Sequence, residues 1–167
     1  NGLICLDIGA STGGFTDCLL HHGAMKVHAY DAGTNQLSWK IRSDPRVNSR
    51  ERFNCRHLKK EDIKDQIDLI VIDVSFISLT KILPAAHAIG SSNCSIITLI
   101  KPQFELSRDE VSKGGIVKDP DLHQKSVRKI VNYATSELQL NHAGTTNSPI
   151  TGTGGNVEFL AHFIKTS

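Results

Sequence analysis

A short apolar run that closes on an acid and breaks into glycines, LDIGASTGGF over residues 6–15, constrains this chain more than any other stretch. Leu3–Asp7 has the length and apolarity of a buried strand. Gly9, Gly13 and Gly14 then permit a sharp turn through backbone conformations that a Cβ disfavours. Gly14–His22 resumes with Phe15, Cys18 and Leu19 at helical spacing, so Phe15 is expected as a core residue of the first helix. A strand feeding a helix through a glycine turn is a recurrent opening unit of α/β sandwiches.

The rest of the chain repeats that alternation. Val27–Asp31 reads as a second strand, again ending on a carboxylate, and a weaker third begins at Val47. Asp68–Val74 (DLIVIDV) is almost continuously apolar between its acids, as expected of a strand covered on both faces. Leu79–Ile89 reads as a helix, Ser95–Lys101 as a strand, and Asp119–Leu138 as a long helix with Pro120 in its first turn. A weak strand near Leu140–Thr146 and a final one over Glu158–Lys165 complete the order. The pattern predicts one α/β domain with a mostly parallel sheet, and places Asp7, Asp31 and Asp73 at the strand ends where such sheets bind ligands.

Three ligand-binding readings of the glycine turn compete. A dinucleotide fingerprint needs G-x-G-x-x-G, but Ser11 stands two residues after Gly9. A P-loop needs G-x-x-x-x-G-K; Gly9 and Gly14 have the spacing, but Phe15 replaces the lysine. The third pattern, D-x-G-x-x-x-G-G, backs the amino-acid end of S-adenosylmethionine. Here Asp7, Gly9, Ser11, Thr12 and Gly14 frame that end, and Asp31 can accept both ribose hydroxyls of an adenosyl group. A plain capped strand-to-helix turn stays open beside it.

Composition narrows the class. A chain of 167 residues, 39% hydrophobic and 22% charged, suits one soluble globular domain, and its formal charge of +2 favours no partner strongly. Cys5, Cys18, Cys55 and Cys94 show neither zinc-ligand spacing nor a disulfide framework, so no metal site and a reducing, cytoplasmic setting are expected. His21 and His22 are adjacent and suit capping or solvation rather than metal binding. No run approaches the ~18 apolar residues of a membrane span, so no membrane partner is expected.

Six segments together carry a family resemblance: LDIGASTGGFTDCLL, KVHAYDAGTNQL, IDVSFISL, LIKPQFE, KGGIVKDP and SPITGTGGNVEFL. In this order they resemble the hemolysin A/TlyA-type proteins of the FtsJ-like group of RNA 2′-O-methyltransferases, over nearly the whole chain. The resemblance implies a Rossmann-like sandwich of seven strands, the last antiparallel, with S-adenosylmethionine as cofactor. It implies an FtsJ-like methyltransferase domain over residues 1–167 and a ribose 2′-hydroxyl of ribosomal RNA, free or in ribosomal subunits, as substrate. Of the group's Lys-Asp-Lys-Glu tetrad, Asp73, Lys101 and Glu158 match the last three members, and Asn54 matches a residue touching the adenine. The first lysine and a small RNA-binding domain are expected to precede the glycine turn by more than the six residues before Asp7.

The implied chemistry is physically coherent. Methyl transfer to a hydroxyl requires the oxygen to be held near the methyl carbon and its proton to be removed. A lysine serves as base only in its neutral form, which burial and a second nearby ammonium both favour. Asp73 and Glu158 are then expected to position Lys101 and offset its charge. Lys40, Arg42, Arg46, Arg50, Arg52, Arg56, Lys59 and Lys60 form a basic run against Asp44 and Glu51, either a phosphate-holding edge or a solvated face. Trp39 within it reads as a packing residue with stacking as the alternative, and Lys113–Lys118 (KGGIVK) as a mobile glycine loop. A membrane-lytic protein and an inactive cofactor- and RNA-binding module are the competing classes.

Overall fold

The computed structural model describes residues 2–166. Seven strands form one sheet: β1 (Ile4–Ile8), β2 (Lys26–Tyr30), β3 (Val47–Arg50), β4 (Ile67–Ile72), β5 (Gly90–Ile100), β6 (Leu140–Asn147) and β7 (Phe159–Lys165). Their spatial order is β3-β2-β1-β4-β5-β7-β6. All neighbours pair parallel except β7, which runs antiparallel to both β5 and β6. The expected Rossmann-like sandwich with an antiparallel last strand is what forms. Order reverses between β1 and β4, so the segments that leave their carboxyl ends run to opposite faces of the sheet and a crevice opens there.

Five helices cover the sheet: α1 (Gly14–His21), α2 (Trp39–Arg42), α3 (Leu83–Ile89), α4 (Pro102–Glu105) and α5 (Pro120–Ser136). Alternation along β1 shows how two faces are filled from one strand. Leu6 and Ile8 enter the larger core beneath α3 and α5, with Ile70, Ile72, Ile96 and Ile130. Cys5 points to the other side, where Leu20, Leu37 and Ile41 pack with Val27 and Ala29. Truncating such a fully buried Leu or Ile to Ala typically costs about 2–5 kcal/mol. The buried cysteines behave as core residues, with burial pushing the Cys5 thiol up to about 11 and Cys55 to about 12.

Several expectations shift in detail. The buried positions of α1 are Thr16 and Leu20; Phe15 is only half-buried and Cys18 is exposed. The helix expected over Leu79–Ile89 divides into a 3-10 turn at Leu79–Lys81 and then α3, because Pro84 lies in the first turn of α3 and offers no N–H to a longer helix. β5 begins at Gly90, well before Ser95, since Gly90 pairs with Ile67 ahead of a register shift that Ser91–Asn93 span, with Ser91 Oγ donating to Ile67 O at 2.9 Å. α5 starts where Pro120 and the Asp119 cap place it, the Asp119 carboxylate accepting from Asp121 N–H at 2.9 Å. His21 and His22 each bond a carbonyl one turn back, Asp17 O and Cys18 O, at 2.8 Å, the capping role expected of them. No helix among the described residues is long and apolar enough to cross a membrane.

Candidate active site

The glycine turn is shaped by what lies behind it. Gly9 has φ +84°, and a Cβ there would stand 2.0 Å from the carbonyl oxygen of Asp73, so β1 and β4 touch backbone to backbone at their tips. Gly13, at φ +104°, receives the side chains of Leu37 and Ile41, which seat α2 against the turn. Asp31, just past β2, ties the turn down: Oδ2 accepts from Ser11 N–H at 2.8 Å and Oδ1 from Gly33 N–H at 2.6 Å. Both carboxylate oxygens keep acceptor capacity for a ligand.

A cavity of about 490 Å³ opens beside this turn, within the range of small-molecule sites. Its lining includes Gly9 and Ser11 of the turn, Asp31 and Asn54, and the apolar side chains of Phe53, Cys55, Ile77 and Ile82. Asn54 is fixed by its own cap, its Oδ1 accepting from Arg56 N–H at 3.0 Å. Two carboxylates, Asp31 and Asp73, face this cavity, and no Lys, Arg or His is among its lining residues. An apolar slot for a flat ring, an acid beside it and an overall anionic wall suit an adenosyl group carrying positive charge. They do not suit a phosphate-bearing nucleotide, which needs cationic donors. S-adenosylmethionine, with its sulfonium and ammonium, fits this donor set.

Lys101, just past β5, stands behind the lining and touches two residues of it, Asp73 and Ser75. Its Nζ lies 2.5 Å from Asp73 Oδ1 and donates to Ser75 Oγ at 3.1 Å, and its side chain is 13% exposed. Glu158 enters from the start of β7, antiparallel and adjacent. Among the described residues it makes no ion pair with Lys101, yet the two interact: burial raises the Glu158 carboxyl above its ordinary range, and the Lys101 charge counters part of that. Gly152 leaves the space the Glu158 carboxylate occupies, since a Cβ there would stand 2.1 Å from Oε1.

Three of the expected cofactor residues stand apart from the cavity wall. Thr12 and Gly14 are exposed, and Asp7 is fully buried behind the turn, its Oδ2 accepting from Thr16 Oγ1 at 2.6 Å. Burial, together with the nearby acids Asp73 and Asp31, raises its carboxyl from 3.8 to about 7 although Thr16 pulls the other way. Gly9, Ser11, Asp31, Asn54 and Asp73 do line the cavity. Reading by sequence passed over Phe53, Ile77 and Ile82, whose apolar character looks the same in a core as in a ligand slot, and Ser75, which lay unremarked inside IDVSFISL.

The surroundings also differ from expectation. Trp39 does not pack: it is 80% exposed, and Phe76, at the cavity rim, is 90% exposed with φ +64°. Among the described residues, four of the eight cations in the basic run are held by acids: Lys40 by Asp17 at 3.9 Å, Arg42 by Glu51, Arg46 by Asp44 at 2.7 Å and Arg50 by Asp62 at 2.8 Å. Arg50 also covers the Phe53 ring at 3.8 Å, stiffening the wall of the slot. The glycine loop at 113–118 is anchored rather than loose, with Asn156 Oδ1 accepting from Val117 N–H and its Nδ2 donating to Gly115 O, both at 2.9 Å.

Comparison with known proteins agrees with this geometry. The family model described as FtsJ-like methyltransferase matches residues 1–165. Hemolysin A of Brachyspira hyodysenteriae is 53% identical over 166 residues, covering 96% of this chain and 67% of that protein. The Mycobacterium tuberculosis 16S/23S rRNA (cytidine-2′-O)-methyltransferase TlyA is 48% identical over 159 residues, covering 95% and 59% respectively. A crystal structure described as a hemolysin from Lactococcus lactis superposes with a TM-score of 0.96 at 51% identity, over 99% of this chain and 79% of that one. The chain therefore spans 59–67% of the length of those two curated relatives. With the family model matching nearly its whole length and a relative 53% identical over 96% of it, the chain belongs to the FtsJ-like methyltransferase family.

Proposed function

We propose that this chain is the catalytic domain of an S-adenosylmethionine-dependent RNA methyltransferase acting on a ribose 2′-hydroxyl of ribosomal RNA. The observation that carries the reading is Lys101 Nζ ion-paired with Asp73 and donating to Ser75, two residues that line an anionic cavity suited to an adenosyl cation. Asp31 would hold the ribose of the cofactor, Asn54 and Phe53 would border the base, and Gly9 and Ser11 would lie against the amino-acid end. When bound, the cofactor supplies an electrophilic methyl group on a positively charged sulfur.

Lys101 would take the proton of the attacking hydroxyl at Nζ, for which it must first be neutral. The ammonium so produced is held by Asp73, with the Glu158 charge nearby. Asp7, Thr12 and Gly14 support the turn from behind and beside it rather than touching the ligand. The exposed rings of Phe76 and Trp39 are surfaces on which unstacked bases can lie. The substrate assignment is supported by the M. tuberculosis relative, named for cytidine-2′-O methylation of ribosomal RNA.

The test uses the full-length protein, ribosomal subunits and methyl-labelled cofactor, followed by nucleoside analysis. Label on ribose is expected, and Lys101→Ala should lower turnover by at least about 100-fold, the ordinary scale of a lost general base. Label confined to bases or to protein, or full activity in Lys101→Ala, refutes the assignment.

A further inference from the structure

We propose that Glu105 is a positioning residue for methyl transfer, acting on Lys101 through Ser75; the proposal rests on the reading of Lys101 as the base. Asp73 and Ser75 both meet the Lys101 amine, but they are held in place by different means. Asp73 lies one residue past β4, and its N–H donates to Ile8 O at 2.9 Å, so the sheet itself fixes it. Ser75 is farther out and exposed, beyond the last pairing of β4 with β1 and β5 at Ile72. Phe76 follows in a left-handed conformation that a residue with a side chain adopts only when its surroundings impose it.

Glu105 is what returns this segment to a fixed place. Its side chain is 1% exposed. Oε2 accepts from Ser78 Oγ at 2.5 Å, and Oε1 accepts from Leu79 N–H at 2.8 Å. Lys129 of α5, 3.3 Å from Oε2, offsets the buried charge and also donates to Glu105 O at 2.5 Å. The ring of Phe104 lies against Phe76, centroids 5.1 Å apart. A buried carboxylate is tolerated where its hydrogen bonds are made and its charge is paired, and here both conditions hold.

The decisive feature is that Lys101 and Glu105 sit at the two ends of α4, a single turn. One end presents the amine that Ser75 contacts; the other clamps the loop that carries Ser75. The distance between Lys101 Nζ and Ser75 Oγ is therefore set within one small body. Without the clamp, Ser75 has no sheet bond to hold it against the amine. Sub-ångström misplacement of a reacting group commonly lowers turnover without weakening ligand binding.

The experiment is a double-mutant cycle in the full-length enzyme with ribosomal subunits. Glu105→Ala and Ser75→Ala should each lower kcat about 10- to 100-fold, with the Kd for S-adenosylmethionine changed less than about threefold. Glu105→Gln, which keeps an acceptor for Leu79 N–H, should recover most of the loss. The double variant should fall little below the weaker single variant, because both changes break one contact. Should Glu105→Ala not fold, Ser78→Ala takes its place in the same cycle, with a smaller loss that Ser75→Ala again masks. Losses that multiply, or a clamp variant with a lowered melting temperature and normal kcat, overturn the proposal. Lys101→Ala is run alongside: if it is inactive while the clamp variants are normal, only this inference fails, whereas an active Lys101→Ala removes the reading beneath it as well.

Discussion

Replacing Asp7 by Asn should change how stability depends on pH, with little change in shape. Asp7 is fully buried beneath the glycine turn, with Thr16 Oγ1 at 2.6 Å from Oδ2 and no hydrogen-bond partner for Oδ1 among the described residues. Its carboxyl is raised from 3.8 to about 7, first by burial and then by the charges of Asp73 and Asp31. A raised folded-state value means that the native protein binds this proton more tightly than the unfolded chain. The stabilisation is complete below pH ~4, declines by about 1.4 kcal/mol per pH unit while only the unfolded chain is ionised, and is exhausted above pH ~7. Over that window of about three units, wild type should lose about 4 kcal/mol that Asp7→Asn retains.

The assay is urea unfolding of both proteins at half-unit steps from pH 4 to 8.5. Other shifted groups, among them Glu105 and Glu158 raised and Asp44 and Glu110 lowered, are common to both proteins. They cancel in the difference, which isolates Asp7. The stability of Asp7→Asn minus that of wild type should climb between pH 4 and 7 and then level off. A difference that stays flat across the range refutes the account, because it means the Asp7 carboxylate ionises in the folded protein as easily as in water.

Two further outcomes follow from the same end of the sheet. Gly9→Ala puts a Cβ 2.0 Å from the Asp73 carbonyl in a residue at φ +84°, so it should destabilise by about 3 kcal/mol or more and lower Tm by roughly 6–12 °C; an unchanged thermal melt contradicts the backbone contact. Asp31→Ala removes the acid that binds Ser11 and Gly33 and faces the cavity, so the Kd for S-adenosylmethionine should rise about 10- to 100-fold by calorimetry. A change below threefold would mean that the ribose lies elsewhere.

Local signals made the architecture legible. Continuous apolar runs ending on acids at Asp7 and Asp31, glycines at the β1–α1 turn and Pro120 behind the Asp119 cap each act through neighbours close along the chain. Periodicity and turn chemistry therefore placed most elements within one or two residues. The same locality explains the errors: the strand was expected only from Ser95 because the polar run before it carries no apolar pattern, and Phe15 looked like core because spacing cannot say which side of α1 meets the sheet.

Resemblance named Asp73, Lys101 and Glu158, but no spacing along the chain relates residues 28 and 57 positions apart. The parallel pairing of β4 with β5 and the antiparallel return of β7 bring them to one edge. Charge shows the division most clearly. In sequence, Asp7, Asp31 and Asp73 are three equivalent strand-end acids. Burial raises the carboxyl of the first, behind the turn, the second faces the cavity, and the third pairs with Lys101. The free energy of an ionised group depends on the water and charges around it, and only the assembled fold determines those surroundings.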